Sequence, residues 1–242
     1  MVSLVPSLTE AVAVSAPGAL VGVTDWCTHP ADLGGAARVG GTKNPDVAAV
    51  TALRPDLVIA NEEENRRPDL DALRAAGLDV LVTEVRTLDQ ALAELARVLD
   101  ACGVRGRPRW LDEAEAAWAS VGPSTAAYDP PLTAVVPIWR RPWMVLGRDT
   151  FAGDLLARLG VRNLYGEHPE RYPRVPLEEL HAAAPDLVVL PDEPYCFTAD
   201  DGPEAFPGAA AALVDGRHLT WYGPSLVTAP RSLAAALRAA RR

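Results

Sequence analysis

The chain has 242 residues, 49% hydrophobic and 23% charged, with a mean hydropathy of +0.04. This composition excludes a disordered segment and a membrane-embedded one, and the length suffices for a large core without disulfide staples. A formal charge of −9 argues against a nucleic-acid groove and against docking on an anionic membrane.

The start, Met1-Val2-Ser3-Leu4-Val5-Pro6, has no basic segment and no long apolar run, so no signal peptide is expected. A cytoplasmic chain is expected as the sequence stands, or an extracytoplasmic one if an export segment precedes Met1. Cys27, Cys102 and Cys196 are far apart and odd in number, which predicts no disulfide framework.

In chain order, the pattern predicts a strand at Val2–Val5 and a helix entered at Ser7, with Glu10 three residues on in capping-box spacing. Next come a Pro55-Asp56 turn and a strand Leu57–Ala60, a helix near Pro68–Ala76, a strand Asp79–Val82 and a helix Leu88–Leu99. An apolar stripe of Trp110, Leu111, Ala114, Ala117, Trp118 and Val121 predicts a helix over Gly106–Val121. The second half reads as a strand Thr133–Val136, a helix Thr150–Leu159, a strand from Leu187, a helix near Pro203–Leu213, a strand His218–Thr220 and a helix Ser232–Arg241.

The halves repeat. Ala52-Leu53-Arg54-Pro55-Asp56-Leu57-Val58-Ile59-Ala60-Asn61-Glu62-Glu63 returns 130 residues later as Ala182-Ala183-Ala184-Pro185-Asp186-Leu187-Val188-Val189-Leu190-Pro191-Asp192-Glu193. Strands alternating with helices imply parallel β-α units. The expected fold is α/β, with two Rossmann-like lobes with parallel sheets joined by a single backbone helix. The N-terminal lobe covers 1–86, a segment 87–130 holds its last helix and the backbone helix, and the C-terminal lobe covers 131–242. A helix of about 15 residues spans roughly 22 Å and would act as a strut. The alternative is chance similarity between two units of one doubly wound sheet.

The segments Val2–Glu10, Val21-Gly22-Val23-Thr24-Asp25, Val39-Gly40-Gly41-Thr42-Lys43-Asn44 and Pro55-Asp56-Leu57-Val58-Ile59-Ala60 resemble the class III substrate-binding proteins. These form the helical-backbone metal receptor superfamily, and the order of motifs is closest to its cobalamin-binding branch. The resemblance implies binding of cobalamin, haem or a ferric siderophore in an inter-lobe cleft, as the substrate-binding component of ABC import, with no intrinsic cofactor. It places the corrin-contacting loop at Asp25–Pro30, the aromatic walls at Thr42 (an aromatic lost) and Tyr172, and a late aromatic pair at Trp221 and Tyr222. It also implies one permease-docking glutamate per lobe, matched by Glu178 but replaced by Ala48 in the first lobe. The loss of that charge keeps open a cytoplasmic relative that sequesters or senses a small molecule, or an enzyme on the same scaffold.

Ligands of open α/β sheets bind beyond the carboxyl ends of the strands. Four of the six tryptophans, Trp26, Trp139, Trp143 and Trp221, fall in loops expected there. They could stack on a large flat ligand or pack inside the lobes. Glu62-Glu63-Glu64 and Asp192-Glu193 occupy equivalent loops, while Arg140 and Arg141 supply countercharge, either pairing with those acids or holding an anionic ligand group. No HxH or HxxxH spacing occurs, so no metal site is assigned. His29 beside Cys27, and Tyr195 beside Cys196, are the candidates for an axial ligand to a bound haem or cobalt. No GxSxG, Walker loop or GxGxxG motif is present, so no catalytic residue is assigned and no enzyme is expected. Expected partners are a small-molecule ligand and an ABC permease, with the chain monomeric and without nucleic acid.

Overall fold

A computed structural model describes residues 1–121 and 132–240. The expected lobe boundary at 130/131 and the end of the last predicted helix, Arg241, lie outside the described residues. The chain divides into two compact units. Unit 1 is Met1–Val85, Asp89–Asp112 and Tyr222–Pro224, and unit 2 is Arg86–Leu88, Glu113–Trp221 and Ser225–Arg242.

Unit 1 holds a five-stranded sheet in the order β3-β2-β1-β6-β7, all pairs parallel. The strands are β1 (Val2–Ser3), β2 (Gly22–Val23), β3 (Ala37–Arg38), β6 (Val58–Asn61) and β7 (Val80–Thr83). A separate antiparallel hairpin pairs β4 (Gly40–Gly41) with β5 (Asn44–Pro45). Gly40 sits at φ +85°, and a Cβ there would come within 2.9 Å of the Asn44 carbonyl oxygen, so the tight turn requires glycine. The helices are α1 (Pro6–Ser15), α2 (Val47–Ala52), α3 (Arg67–Ala75) and most of α4 (Leu88–Ala101).

Unit 2 holds a four-stranded parallel sheet in the order β11-β8-β12-β13. These are β8 (Leu132–Val135), β11 (Val161–Asn163), β12 (Leu187–Pro191) and β13 (Ala210–Val214). An antiparallel hairpin pairs β9 (Pro137–Arg140) with β10 (Trp143–Val145). The helices are α6 (Phe151–Arg158), α7 (Leu177–Ala182), α8 (Gly216–Thr220) and α9 (Ala229–Ala239). Helix α5 (Arg109–Ala119) carries residues of both units, and α4 gives its first residue to unit 2, where Asp154 of α6 accepts the Leu88 amide at 2.9 Å.

Central strands β6 and β12 are buried along their whole length. This is why they read as unbroken Leu/Val/Ile runs rather than as alternation. In unit 1 the side chains of Val58, Val2, Leu4, Leu70 and Leu73 share one core; in unit 2 Val135, Val188, Leu190, Leu180 and Phe197 do so.

The repeat is structural as well as sequential. Helices α2 and α7 begin and end 130 residues apart, and β7 and β13 begin 130 residues apart. The two turns before the central strands both place a non-glycine residue at φ +45°, Arg54 and Ala184, again 130 residues apart.

Three local expectations are corrected. Helix α1 begins at Pro6 with Val5 as N-cap and no side-chain cap, so Ser7 and Glu10 lie inside the helix and form no capping box. Proline at the first helical position has no N–H to cap and a preset φ, which moves the start forward. The segment read as a helix at Pro203–Leu213 is a single 3₁₀ turn, Pro203–Ala205, followed by β13. There the alanine-rich run pairs with β12 over five residues, and sheet burial overrides helix propensity. His218–Thr220, read as a strand, belongs to α8, whose N-cap Asp215 accepts the His218 amide at 3.1 Å.

Candidate functional site

The carboxyl-end loops of each sheet are built differently. In unit 1 the loop after β2 presents Trp26 with 67% of its surface exposed. Two anchors fix that turn. Arg38 Nη1 donates to the Thr24 and Cys27 carbonyls at 2.7 and 2.8 Å, and the buried Cys27 Sγ lies 3.0 Å from Thr9 Oγ1 and 3.2 Å from Thr24 Oγ1. Cys27 is fully buried, so its thiol serves the turn and does not face a ligand. His29 is half-buried, with Nδ1 3.1 Å from Thr28 Oγ1.

The hairpin β4–β5 adjoins the same tryptophan, since a Cβ on Gly41 would lie 3.4 Å from Trp26 Nε1. Thr42, half-buried at the hairpin turn, accepts at its carbonyl from Asn65 Nδ2 at 2.9 Å. Asn65 Nδ2 also reaches the Leu4 carbonyl at 3.2 Å, and its Oδ1 accepts from Asn61 N at 2.9 Å. Asn61 Oδ1 in turn accepts the Glu63 and Glu64 amides at 2.9 and 3.3 Å. Two asparagines therefore hold the acidic loop, and Lys43 Nζ donates to the Glu63 carbonyl. Glu62 is exposed. Burial pushes the Glu64 carboxyl above its ordinary range; Lys43 opposes the shift and Glu63 adds to it.

Tyr222, although it follows Trp221 in sequence, belongs to unit 1. It is 8% exposed, with its hydroxyl hydrogen-bonded to the Thr83 and Ser7 side chains. Burial, then Glu64 and Glu63, push its phenol far above the ordinary range. Tyr222 is thus a neutral hydrogen-bonding group under the acidic loop.

In unit 2 the site residues gather on the β9–β10 hairpin and the loop after β12. Trp139 is 43% exposed and meets Tyr195 edge-on, with centroids 5.6 Å apart at 78°. Trp143 is half-buried, parallel to Phe197 at 6.1 Å and edge-on to Phe206 at 5.3 Å. Arg140 lies with its guanidinium carbon 5.4 Å from the Trp143 ring centroid and pairs with Asp201 and Glu204. Tyr195 donates to Asp201 Oδ2 at 2.6 Å. The Gly202 amide and Arg140 hold the Glu204 carboxyl below its usual range.

Of the two alternatives for Arg140, the structure therefore realises pairing with acids, but with Asp201 and Glu204 rather than with Asp192 and Glu193. Glu193 Oε2 accepts from Trp221 Nε1 at 3.0 Å, and Asp192 Oδ1 accepts the Gly216 amide at 2.6 Å. Trp221 is 8% exposed. Tyr172 is half-buried, and Glu178 is exposed in the first turn of α7, as Ala48 is in α2.

The structure thus brings together Trp26, Thr42 and Tyr222 in unit 1 with the Glu62 loop. In unit 2 it joins Trp139, Arg140, Trp143 and Tyr195. Residues that sequence reasoning missed are Arg38, Asn61, Asn65 and Asp201, and only the paired asparagines flanking an acidic run offered a signal. Among the described residues no group of three His, Cys, Asp or Glu could hold a metal ion. No helix among them is long and apolar enough to cross a membrane.

The sequence profile of the family described as "Periplasmic binding protein" matches residues 2–204. A vitamin B12-binding protein of Pectobacterium atrosepticum is 21% identical over 202 residues, covering 78% of this chain and 70% of that protein. A periplasmic heme-binding protein from Roseiflexus sp. RS-1 superposes with a TM-score of 0.81 at 22% identity, covering 100% of this chain and 98% of that one. Another periplasmic heme-binding protein, from Pseudomonas aeruginosa, gives a TM-score of 0.77 at 29% identity, covering 97% and 91%. With the matched profile spanning most of the chain, and two parallel α/β sheets related by a 130-residue repeat, this protein belongs to the periplasmic binding protein family.

Proposed function

We propose that the chain captures a tetrapyrrole, cobalamin or haem, outside the cytoplasm and delivers it to an ABC permease. The observation that carries this reading is the pair of solvent-exposed indoles, Trp26 on the anchored turn after β2 and Trp139 on strand β9 against Tyr195. Large exposed tryptophans leave apolar area in water unless a ligand covers it, and a flat macrocycle suits an indole face. The similarity to vitamin B12-binding and heme-binding proteins supports the same class. Glu178, exposed on α7, is the docking charge available to a permease.

Titration with cyanocobalamin and with haemin, followed by absorbance and tryptophan fluorescence, tests the reading. Saturable quenching with one equivalent of either compound supports it. Unchanged spectra with both would remove it.

A further inference from the structure

A depression of about 590 Å³ in unit 2 is lined by Arg140, Arg141, Arg174, Trp143, Val175 and Pro176. Arg140 is committed to Asp201 and Glu204. Arg141 and Arg174 are both exposed, and neither makes an ion pair or side-chain hydrogen bond among the described residues. The backbone fixes where both arginines start. Arg141 follows β9 at the hairpin turn, and Met144 of β10 bridges antiparallel to Arg174. Two unpartnered guanidiniums therefore flank an indole and a proline in a chain whose formal charge is −9.

The other unit carries no such cluster at the matching place. By the 130-residue offset, Arg174, Val175 and Pro176 correspond to Asn44, Pro45 and Asp46. Arg174 thus has no cationic counterpart at position 44, and the neighbouring Lys43 is engaged with the Glu63 carbonyl.

We infer that this depression receives the carboxylate-bearing edge of the ligand, so that the tetrapyrrole bound is an acid such as haem rather than the amide-fringed corrin. The inference rests on the tetrapyrrole reading above and narrows it. A guanidinium presents a planar fork of donors that matches a carboxylate bidentately. The exposed Pro176 and the accessible part of the half-buried Trp143 ring give that edge an apolar border. An amide periphery offers the two cations carbonyl acceptors but no countercharge, so it holds them more weakly than a bidentate carboxylate does.

The test compares haemin, haemin dimethyl ester and cyanocobalamin on the wild-type chain and on the double variant Arg141→Gln/Arg174→Gln. Both positions are exposed, so the variant should fold, and Arg231→Gln/Arg238→Gln on α9 serves as a charge-matched control. Haemin should bind most tightly, the diester and cyanocobalamin at least about ten-fold more weakly, and the double variant should lose about ten-fold for haemin alone. Equal affinity for acid and diester, or a double variant as tight as the control, would overturn the inference and leave the tetrapyrrole reading standing. No binding of any of the three by the wild-type chain would remove both.

Discussion

In unit 1 the loop after the central strand is held by side-chain amides: Asn61 and Asn65 take up its backbone groups, and Tyr222 lies beneath it. In unit 2 the corresponding positions are Pro191 and Tyr195, and the loop is held instead by stacked rings and by Arg140 bridging two carboxylates. One frame thus supports two chemistries. Buried amides hold the unit 1 loop at fixed geometry, and burial raises the pKa of Glu64 within it. In unit 2 the acid stays solvated, and the Gly202 amide and Arg140 lower the pKa of Glu204. The duplicated part of the sequence sets the sheet, and the unduplicated part sets what each strand end can hold.

The largest break in this comparison should come from the rings. Phe197→Ala removes a 3%-exposed side chain that stacks on Trp143, and should cost about 3–5 kcal/mol in chemical denaturation. Asn65→Ala in unit 1 strands the Leu4 and Thr42 carbonyls and the Asn61 amide, and should cost about 2–3 kcal/mol. Equal losses smaller than 1 kcal/mol at both sites would mean that neither loop depends on its support.

The two carboxyls should respond to pH with opposite sign. Glu64 titrates above its usual 4.5 in the folded chain, so the folded state retains a proton that the unfolded state has released just above that pH. Its contribution to stability therefore falls as pH rises through that interval, and Glu64→Gln should abolish the fall. Glu204 titrates below 4.5, so its contribution is present above that value and lost as pH falls through the lower folded pKa. Glu204→Gln should remove this loss at the acid end. Stability curves of the two variants minus wild type should slope in opposite directions, and parallel slopes would refute the contrast.

A smaller effect tests the repeat itself. Arg54 and Ala184 both sit at φ +45°, where a side chain is strained, and glycine at either position should stabilise the chain by about 0.5–1 kcal/mol. The smallest effect is expected at Trp26: replacing this exposed ring by alanine should change stability by less than about 0.5 kcal/mol while weakening ligand binding.

Much of the frame was legible. The Pro-Asp turns and apolar runs at 55–60 and 185–190 gave both central strands, and the stripe from Trp110 to Val121 gave α5. At β13 two signals compete: the offset that relates Val80 to Ala210 marks a strand, whereas local alanine content favours a helix. The hairpins β4–β5 and β9–β10 were hidden because glycine and proline interrupt their two-residue alternation. Within the site, Trp26 and Trp139 are exposed rings, the first on a loop as expected and the second on strand β9. The burial of Trp221 and Tyr222 was not, because their partners, Glu193, Thr83 and Ser7, are distant in sequence. Arg140 likewise found acids more than sixty residues away, at 201 and 204 rather than at 192 and 193.

The most direct test of the account is amide hydrogen exchange with and without haemin or cyanocobalamin at saturation. Ligand should slow exchange in residues 24–30, 62–65, 138–143 and 192–197, the loops that carry the exposed indoles and their supports, and leave α9 unchanged. Protection confined to α9 or to the sheet cores, with those four loops unaffected, would contradict it.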